Sequence, residues 1–566
     1  MRYLLKIAVL MLTASVVFAR NPKFGRELDS IAPKGMVDVI IQYDHFPTQG
    51  DHQKVFHQGG VLRGQYRHVK AGFYRVPASA LTQLAKNPQV RFISTNRRLH
   101  STLDNTAAAV NAAAAWNQGL DGTGIGVAII DSGITEVNDL TNQGVSRVVY
   151  SQDFVGTGTD DAYGHGTHVA GIVAGNGADS TCTTCTRTVR GIAPNVSLIN
   201  LRVLDENGAA LDSDVIAAID QAIALESTYN IRVINLSVGR PIFESYDQDP
   251  LCQAVEAAWK AGIVVVVAAG NYGRDNTVGE NGYGTITAPG NDPFVITVGA
   301  MKNEGTPDRT DDLIASYSSK GPTGIDHFVK PDLVAPGNLT VSLLANINDT
   351  IPTTEPATLT PNTYYDSAGD GSPSNIYYTL SGTSMATPVV SGAVALLLQQ
   401  NPSLTPDQVK ARLMKTAYKS FPASSQATDP TTGTVYTSYY DIFTVGAGYL
   451  DVAAALADTE TFTGTANSPV AVFDPTSGAA TVSCGATTVC ATQAMFGNQA
   501  IWGTSAIWGT SVFVNSSSAI WGTSAIWGTS AIWGTSAIWG TSAIWGTSAI
   551  WGTSAIWGTS SDLGEK

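Results

Sequence analysis

Between residues 126 and 300 the chain alternates two kinds of apolar segment, and their spacing predicts its architecture. GVAIID, VSLINLRVL, VINLSVG, IVVVVAAG and PFVITVGA are short, almost unbroken apolar runs, as expected of strands buried on both faces. HGTHVAGIVAG, SDVIAAIDQAIAL and LCQAVEAAWKAG lie among them and read as helices, as does NTAAAVNAAAAW ahead of the first strand. This alternation predicts an α/β fold, a mostly parallel sheet with helices on both faces. A further apolar run, VVSGAVALLLQQ, reads as a buried helix. From Asn338 to Thr379 the periodicity gives way to Thr, Pro, Asn and Gly, which reads as a long insertion just ahead of that helix.

A different pattern lies upstream. VDVIIQY, GFYRVP and VRFISTN read as strands, and DHQKVFHQ and ASALTQLAKN as short helices, approaching a β-α-β-β-α-β order. The first 19 residues combine Arg2 and Lys6 with an apolar centre and a closing Val17-Phe18-Ala19, the pattern of a secretory signal. No other stretch reaches the ~18 uncharged apolar residues of a membrane helix. The expectation is a soluble, exported protein, extracellular or at the cell surface. Residues 20–103 carry a formal charge of +8 and residues 104–566 one of −24, within a total of −14. Two such parts attract each other, and the acidic body argues against a nucleic-acid partner.

The candidate chemistry sits at the ends of the predicted elements. Ser384, in Gly382-Thr383-Ser384-Met385-Ala386-Thr387-Pro388, opens the last apolar helix, where unpaired N–H groups favour developing negative charge. A serine hydroxyl needs a base. Beyond residue 100 only His165, His168 and His327 offer an imidazole, and the first two lie in GHGTHVAG. Asp131 ends the strand GVAIID, at the edge where open α/β sheets collect catalytic groups. His168 reads as a packed structural histidine and His327, in GIDHFVKPD, as a surface-loop residue.

The order Asp131, His165, Ser384 and the three motifs around them resemble the subtilisin-like serine proteases, the subtilase family, over roughly residues 104–457. That resemblance implies a secreted endopeptidase in which Ser384 is the nucleophile, His165 the general base and Asp131 the group that orients the imidazole. It implies an oxyanion-hole side chain at Asn271, in VVVVAAGNYG, and pairing of an extended polypeptide substrate with Ser237, Val238 and Gly239. It makes the +8 segment a ferredoxin-like propeptide, an intramolecular inhibitor removed by autocleavage near Arg98–Asp104. It also implies a structural calcium at Asp139, although the family's partner loop after HGTH is replaced here by the Cys182–Cys185 stretch. The chemistry itself needs no cofactor.

The five cysteines stand in an exported and therefore oxidising setting. Cys182 and Cys185 read as a local disulfide, because no second CxxC or histidine pair completes a zinc site. Cys484 and Cys490 form a second candidate pair, and Cys252 reads as buried and free. Residues 458–499 look like a Thr/Ala/Gly-rich connector. AIWGTS then recurs nine times between Ala500 and Ser560, interrupted once by VFVNSSS, and residues 561–566 follow as a short tail. Six is even, so an extended chain would place every Trp on one face. Stacked strands and low-complexity disorder both fit, with contacts to a cell surface, a polymer or another copy of the chain. A surface adhesion or assembly protein with a vestigial protease domain is the alternative reading, and the intact triad argues against it.

Overall fold

The computed structural model describes residues 35–95, 105–474 and 479–483, less 67–69, 277–280 and 430–431, together with residues 23–24, 28, 506–507, 512–513 and 565. The expected signal, the Arg98–Asp104 cleavage region, Cys484, Cys490 and most of the repeats lie outside the described residues. The chain divides into two compact units, residues 1–100 and 101–566.

In the first unit β1 (Met36–Tyr43), α1 (Gln49–His57), β2 (Val61–Gln65), β3 (Ala71–Pro77), α2 (Leu81–Ala85) and β4 (Val90–Thr95) follow in that order. They complete the β-α-β-β-α-β pattern. The four strands make an antiparallel sheet ordered β2-β3-β1-β4. Val39, Ile41 and Tyr43 of β1 and Tyr74 and Val76 of β3 are buried, and together with Val55, Leu81 and Leu84 they form one core. Sequence periodicity misses β2, a short edge strand whose residues are all exposed or half-buried, in which only Leu62 packs on the core while Val61 is exposed.

The second unit is built on β5 (Gly126–Asp131), β6 (Val148–Asp153), β7 (Ser197–Arg202), β8 (Ile231–Leu236), β9 (Val264–Ala268), β10 (Ile296–Lys302), β11 (Leu313–Ile314) and β12 (Leu333–Pro336). The sheet runs β11-β10-β9-β8-β5-β7-β6, with β12 also on β10. Only the β10–β11 pair is antiparallel. After β5 the chain builds one side of the sheet, and from β8 onward it builds the other. The crevice at the carboxyl ends of β5 and β8 is thus the switch point, where ligands bind in such sheets. Helix α3 (His165–Ala174) and the long α6 (Thr383–Gln400) pack on each other and on the sheet; α4 (Asp212–Ala224) and α5 (Pro250–Lys260) form a second helical pair. All six residues of β5 and all five of β9 are buried, as the apolar runs Val127–Ile130 and Val264–Ala268 predict.

Within the second unit three stretches of secondary structure or packing depart from the sequence expectations. The helix expected over residues 105–116 breaks into Asn105–Ala109 and Ala113–Trp116 around Asn111, which takes a φ of 59° that asparagine tolerates better than most residues. The insertion is not loop alone. β13 (Thr340–Leu343), β14 (Leu359–Pro361) and β15 (Pro373–Leu380) form a separate antiparallel sheet with Tyr377 and Tyr378 buried. Residues 458–474 are not a bare connector either: Phe462 and Ala466 are buried, and Ser468 Oγ donates to the buried Asp332 at 2.6 Å.

Candidate active site

Asp131 and His165 meet because two glycines let their backbones close. Gly133 turns at φ 110°, and a Cβ on Gly166 would lie 2.2 Å from the Gly133 carbonyl oxygen. His165 Nδ1 sits 2.7 Å from Asp131 Oδ1, with both side chains fully buried. The Ser132 N–H donates to the same oxygen at 2.8 Å. A carboxylate on Nδ1 makes Nε2 the nitrogen that a general base at this position would use.

Asp161, which the sequence reading passes over, supports this pair. Its carboxylate is buried and accepts from Gly164 N, Thr167 N and Ser132 Oγ, each at 2.7 Å. It thereby satisfies N–H groups at the start of α3, which begins at His165, and fixes the residue beside Asp131. Its position four residues before His165 was the available signal. Burial raises its pKa, and those three donors oppose the rise.

Ser384 is the second residue of α6 and only 2% exposed. Its Oγ donates to the Ser237 carbonyl at 3.2 Å, and Ser237 Oγ donates back to the Ser384 carbonyl at 2.9 Å. Asn235 Nδ2 donates to Ser237 Oγ at 3.0 Å, while Ser391 Oγ donates to Asn235 Oδ1 at 2.8 Å, so the end of β8 is tied to α6. Ser237 and Val238 are buried and Gly239 half-buried, and all three lie just past β8, off the ladder.

Asn271 lies three residues beyond β9. Its Oδ1 accepts from Thr383 N at 2.9 Å and Thr383 Oγ1 at 3.0 Å. A backbone N–H can only donate, so the atom facing it is the oxygen, and Nδ2 is left as the amide's donor. Residue 383 therefore fixes the orientation that oxyanion chemistry at residue 384 would use. Thr383 was not singled out by sequence.

His168 is buried, with Nε2 3.1 Å from the Thr340 carbonyl and its ring edge-on to Tyr378 at 5.0 Å. Burial first, and the neighbouring His165 second, pull its pKa down to about 3, so it stays neutral and structural. His327 is half-buried rather than on the surface, and burial pulls it down to about 3 as well. The insertion borders the site: Thr350 N and Ile351 N donate to the carbonyls of Ala162 and Tyr163, and the Tyr378 hydroxyl donates to the Gly164 carbonyl.

The surroundings of Asp139 do not fit a calcium ion. Its carboxylate accepts from the Tyr377 hydroxyl and from Asp179 N, both at 2.7 Å. The buried Arg147 places Nη2 2.7 Å from the Asp139 carbonyl and 2.6 Å from that of Ala174. Protein donors already hold the oxygens a hard cation would need. Cys182 and Cys185 form a disulfide with an S–S length of 2.08 Å, and Cys252 is free and buried. Among the described residues no helix is long and apolar enough to cross a membrane.

Residues 122–441 match the subtilase family of peptidases. The chain is 36% identical over 397 residues to serine protease AprX of Bacillus subtilis, spanning 67% of this chain and 82% of that protein. It is 31% identical to subtilisin E of the same species over 365 residues, 64% of this chain and 78% of that protein. To subtilisin DY of Bacillus licheniformis it is 34% identical over 339 residues, 60% and 93% of the two chains. The chain belongs to the subtilase family and is a subtilisin-like serine endopeptidase. Its substrates are polypeptides.

Proposed function

We propose that Ser384, His165 and Asp131 carry the peptidase reaction as nucleophile, general base and orienting carboxylate. The observation that carries this reading is the buried His165–Asp131 contact at 2.7 Å, with Asp131 ending β5 and Ser384 hydrogen-bonded to Ser237 just past the neighbouring β8. Ser384 Oγ bonds to the scissile carbonyl carbon as its proton passes to His165 Nε2. That proton then goes to the leaving amine as the C–N bond breaks, and water repeats the sequence on the acyl-enzyme. Asn271 Nδ2 donates to the oxyanion in the tetrahedral intermediates, and residues 237–239 pair with the extended substrate.

Residues 20–103 act as propeptide and inhibitor in this reading, supported by their β-α-β-β-α-β fold and by the +8 against −24 charge contrast. The pattern over residues 1–19 supports export. A serine-directed phosphonate should label the mature protein once, at Ser384, and label nothing in Ser384→Ala. That variant, expressed alone, should also stay unprocessed near residues 98–104. Labelling elsewhere, or normal maturation of Ser384→Ala, would remove Ser384 from the mechanism.

A further inference from the structure

Beyond the repeats, Glu565 is buried in the catalytic unit, with its side chain only 6% exposed. Burying a carboxylate is costly unless it is paired and hydrogen-bonded. Arg274 Nη2 donates to Glu565 Oε1 at 2.8 Å and Ser316 N donates to the same oxygen at 2.9 Å. Ser316 Oγ is also on that oxygen, and it accepts from Arg274 Nε at 2.7 Å. A guanidinium only donates, so the serine proton must point at the carboxylate. The backbone of residue 565 is read as well. Asn338 Nδ2 donates to its carbonyl and Asn338 Oδ1 accepts from its N–H, both at 2.9 Å. The Arg274 guanidinium lies 5.3 Å from the centre of the Tyr436 ring.

We propose that Arg274, Ser316 and Asn338 form a glutamate-recognition site whose occupant is Glu565, so that the segment carrying the AIWGTS repeats is held to the catalytic unit on both sides. On the near side the hold is Ser468 on Asp332 and Val329 N on the Pro469 carbonyl, at 2.6 and 2.8 Å. On the far side it is Glu565. The walls of the site belong to the loops that brace the catalytic centre. Arg274 is three residues past Asn271, and Gly273 N donates to the Tyr317 carbonyl at 2.8 Å. Asn338 follows Gly337, whose carbonyl accepts from Gly382 N at 2.8 Å. Docking of Glu565 therefore adds a shared contact to three loops already linked through Tyr317, whose carbonyl accepts from Gly273 N and whose hydroxyl donates to the Gly337 carbonyl at 3.0 Å.

The test uses the full chain carrying Ser384→Ala, which prevents self-digestion, and reads hydrogen exchange at the Ser316 amide. Its readout does not depend on peptidase activity. Glu565→Ala should speed that exchange about tenfold or more, because a charge-assisted bond is lost. A free, end-blocked Asp-Leu-Gly-Glu-Lys peptide at millimolar concentration should restore protection in Glu565→Ala, and should fail to do so when Arg274→Ala is added. Unchanged exchange in Glu565→Ala would overturn the proposal. So would failure of the peptide to restore protection, or restoration that ignores Arg274.

Discussion

Pro388 leaves the Ser384 carbonyl without its helical partner, and Ser237 takes the vacancy. In α6 the N–H of residue 388 would bond to the carbonyl of residue 384, but proline has none. Ser237 Oγ donates there instead at 2.9 Å, while Ser384 Oγ lies 3.2 Å from the Ser237 carbonyl. The residue proposed as nucleophile is thereby tied to the segment proposed to bind substrate.

Pro388→Ala separates helix stability from turnover. The new N–H can compete with Ser237 for the Ser384 carbonyl, so kcat should fall several-fold while thermal stability is unchanged or higher. Steady-state kinetics and a melting curve on one preparation decide it. A fall in both would mean that Pro388 serves packing alone.

Asn271→Ala should lower kcat by ~100-fold or more with little change in KM, the behaviour of a donor used mainly in the transition state. Thr383→Val should lower kcat in the same direction, because it removes the hydroxyl on Asn271 Oδ1 at 3.0 Å and leaves the backbone donor in place. A change confined to KM would make Asn271 a substrate contact.

Asp161→Asn keeps the shape but removes the acceptor charge at the start of α3. Loss of such a cap costs about 1–2 kcal/mol, and kcat should fall with it as His165 loses its fixed backbone. A melting point lowered with kcat unchanged would confine Asp161 to folding.

Chelation should leave the melting temperature unchanged if Arg147 serves where a cation was expected. Tyr377→Phe, which removes one donor from the buried Asp139, should cost about 1–3 kcal/mol. Burial raises the Asp139 pKa while the Tyr377 hydroxyl opposes that rise. In Tyr377→Phe the pKa should therefore climb further. A raised carboxyl binds protons in the fold that the unfolded chain has released, so stability falls as pH rises across that interval. The variant should lose more stability than the parent on going from acid to neutral pH, as melting curves across that range would show.

Truncation after residue 483 should leave hydrolysis of a small peptide within about twofold, since every proposed catalytic group lies upstream. Truncation after residue 460 should not be equivalent. It removes Ser468, which lies 2.9 Å from the buried Lys410 Nζ and 2.6 Å from Asp332. Leaving such groups short of a partner costs about 1–3 kcal/mol, measurable as a lower unfolding midpoint. Abolished peptide hydrolysis in the 483 truncation, with the rest folded, would make the downstream segment part of the catalytic unit.

The sequence alone determined the parallel sheet, because strands buried on both faces need unbroken apolar runs such as Val264–Ala268. It determined where Asp131, His165 and Ser384 fall, because their motifs are local and sit at element ends. The strand Val61–Gln65 stayed hidden because its two half-buried positions are Leu62 and Gly64, too little apolar character to show a period. The sheet inside the insertion stayed hidden because Thr, Pro, Asn and Gly break its apolar pattern, and because Ser342 and Tyr377 find partners far along the chain, at the His168 carbonyl and the Asp139 carboxylate. Tertiary structure alone decided that Thr383 orients Asn271, that Ser237 meets Ser384 across 147 positions, and that Arg147 reaches the carbonyls beside Asp139. Hydrogen bonds between distant segments leave no period in a sequence, since their partners are brought together by the packing of elements and not by spacing along the chain.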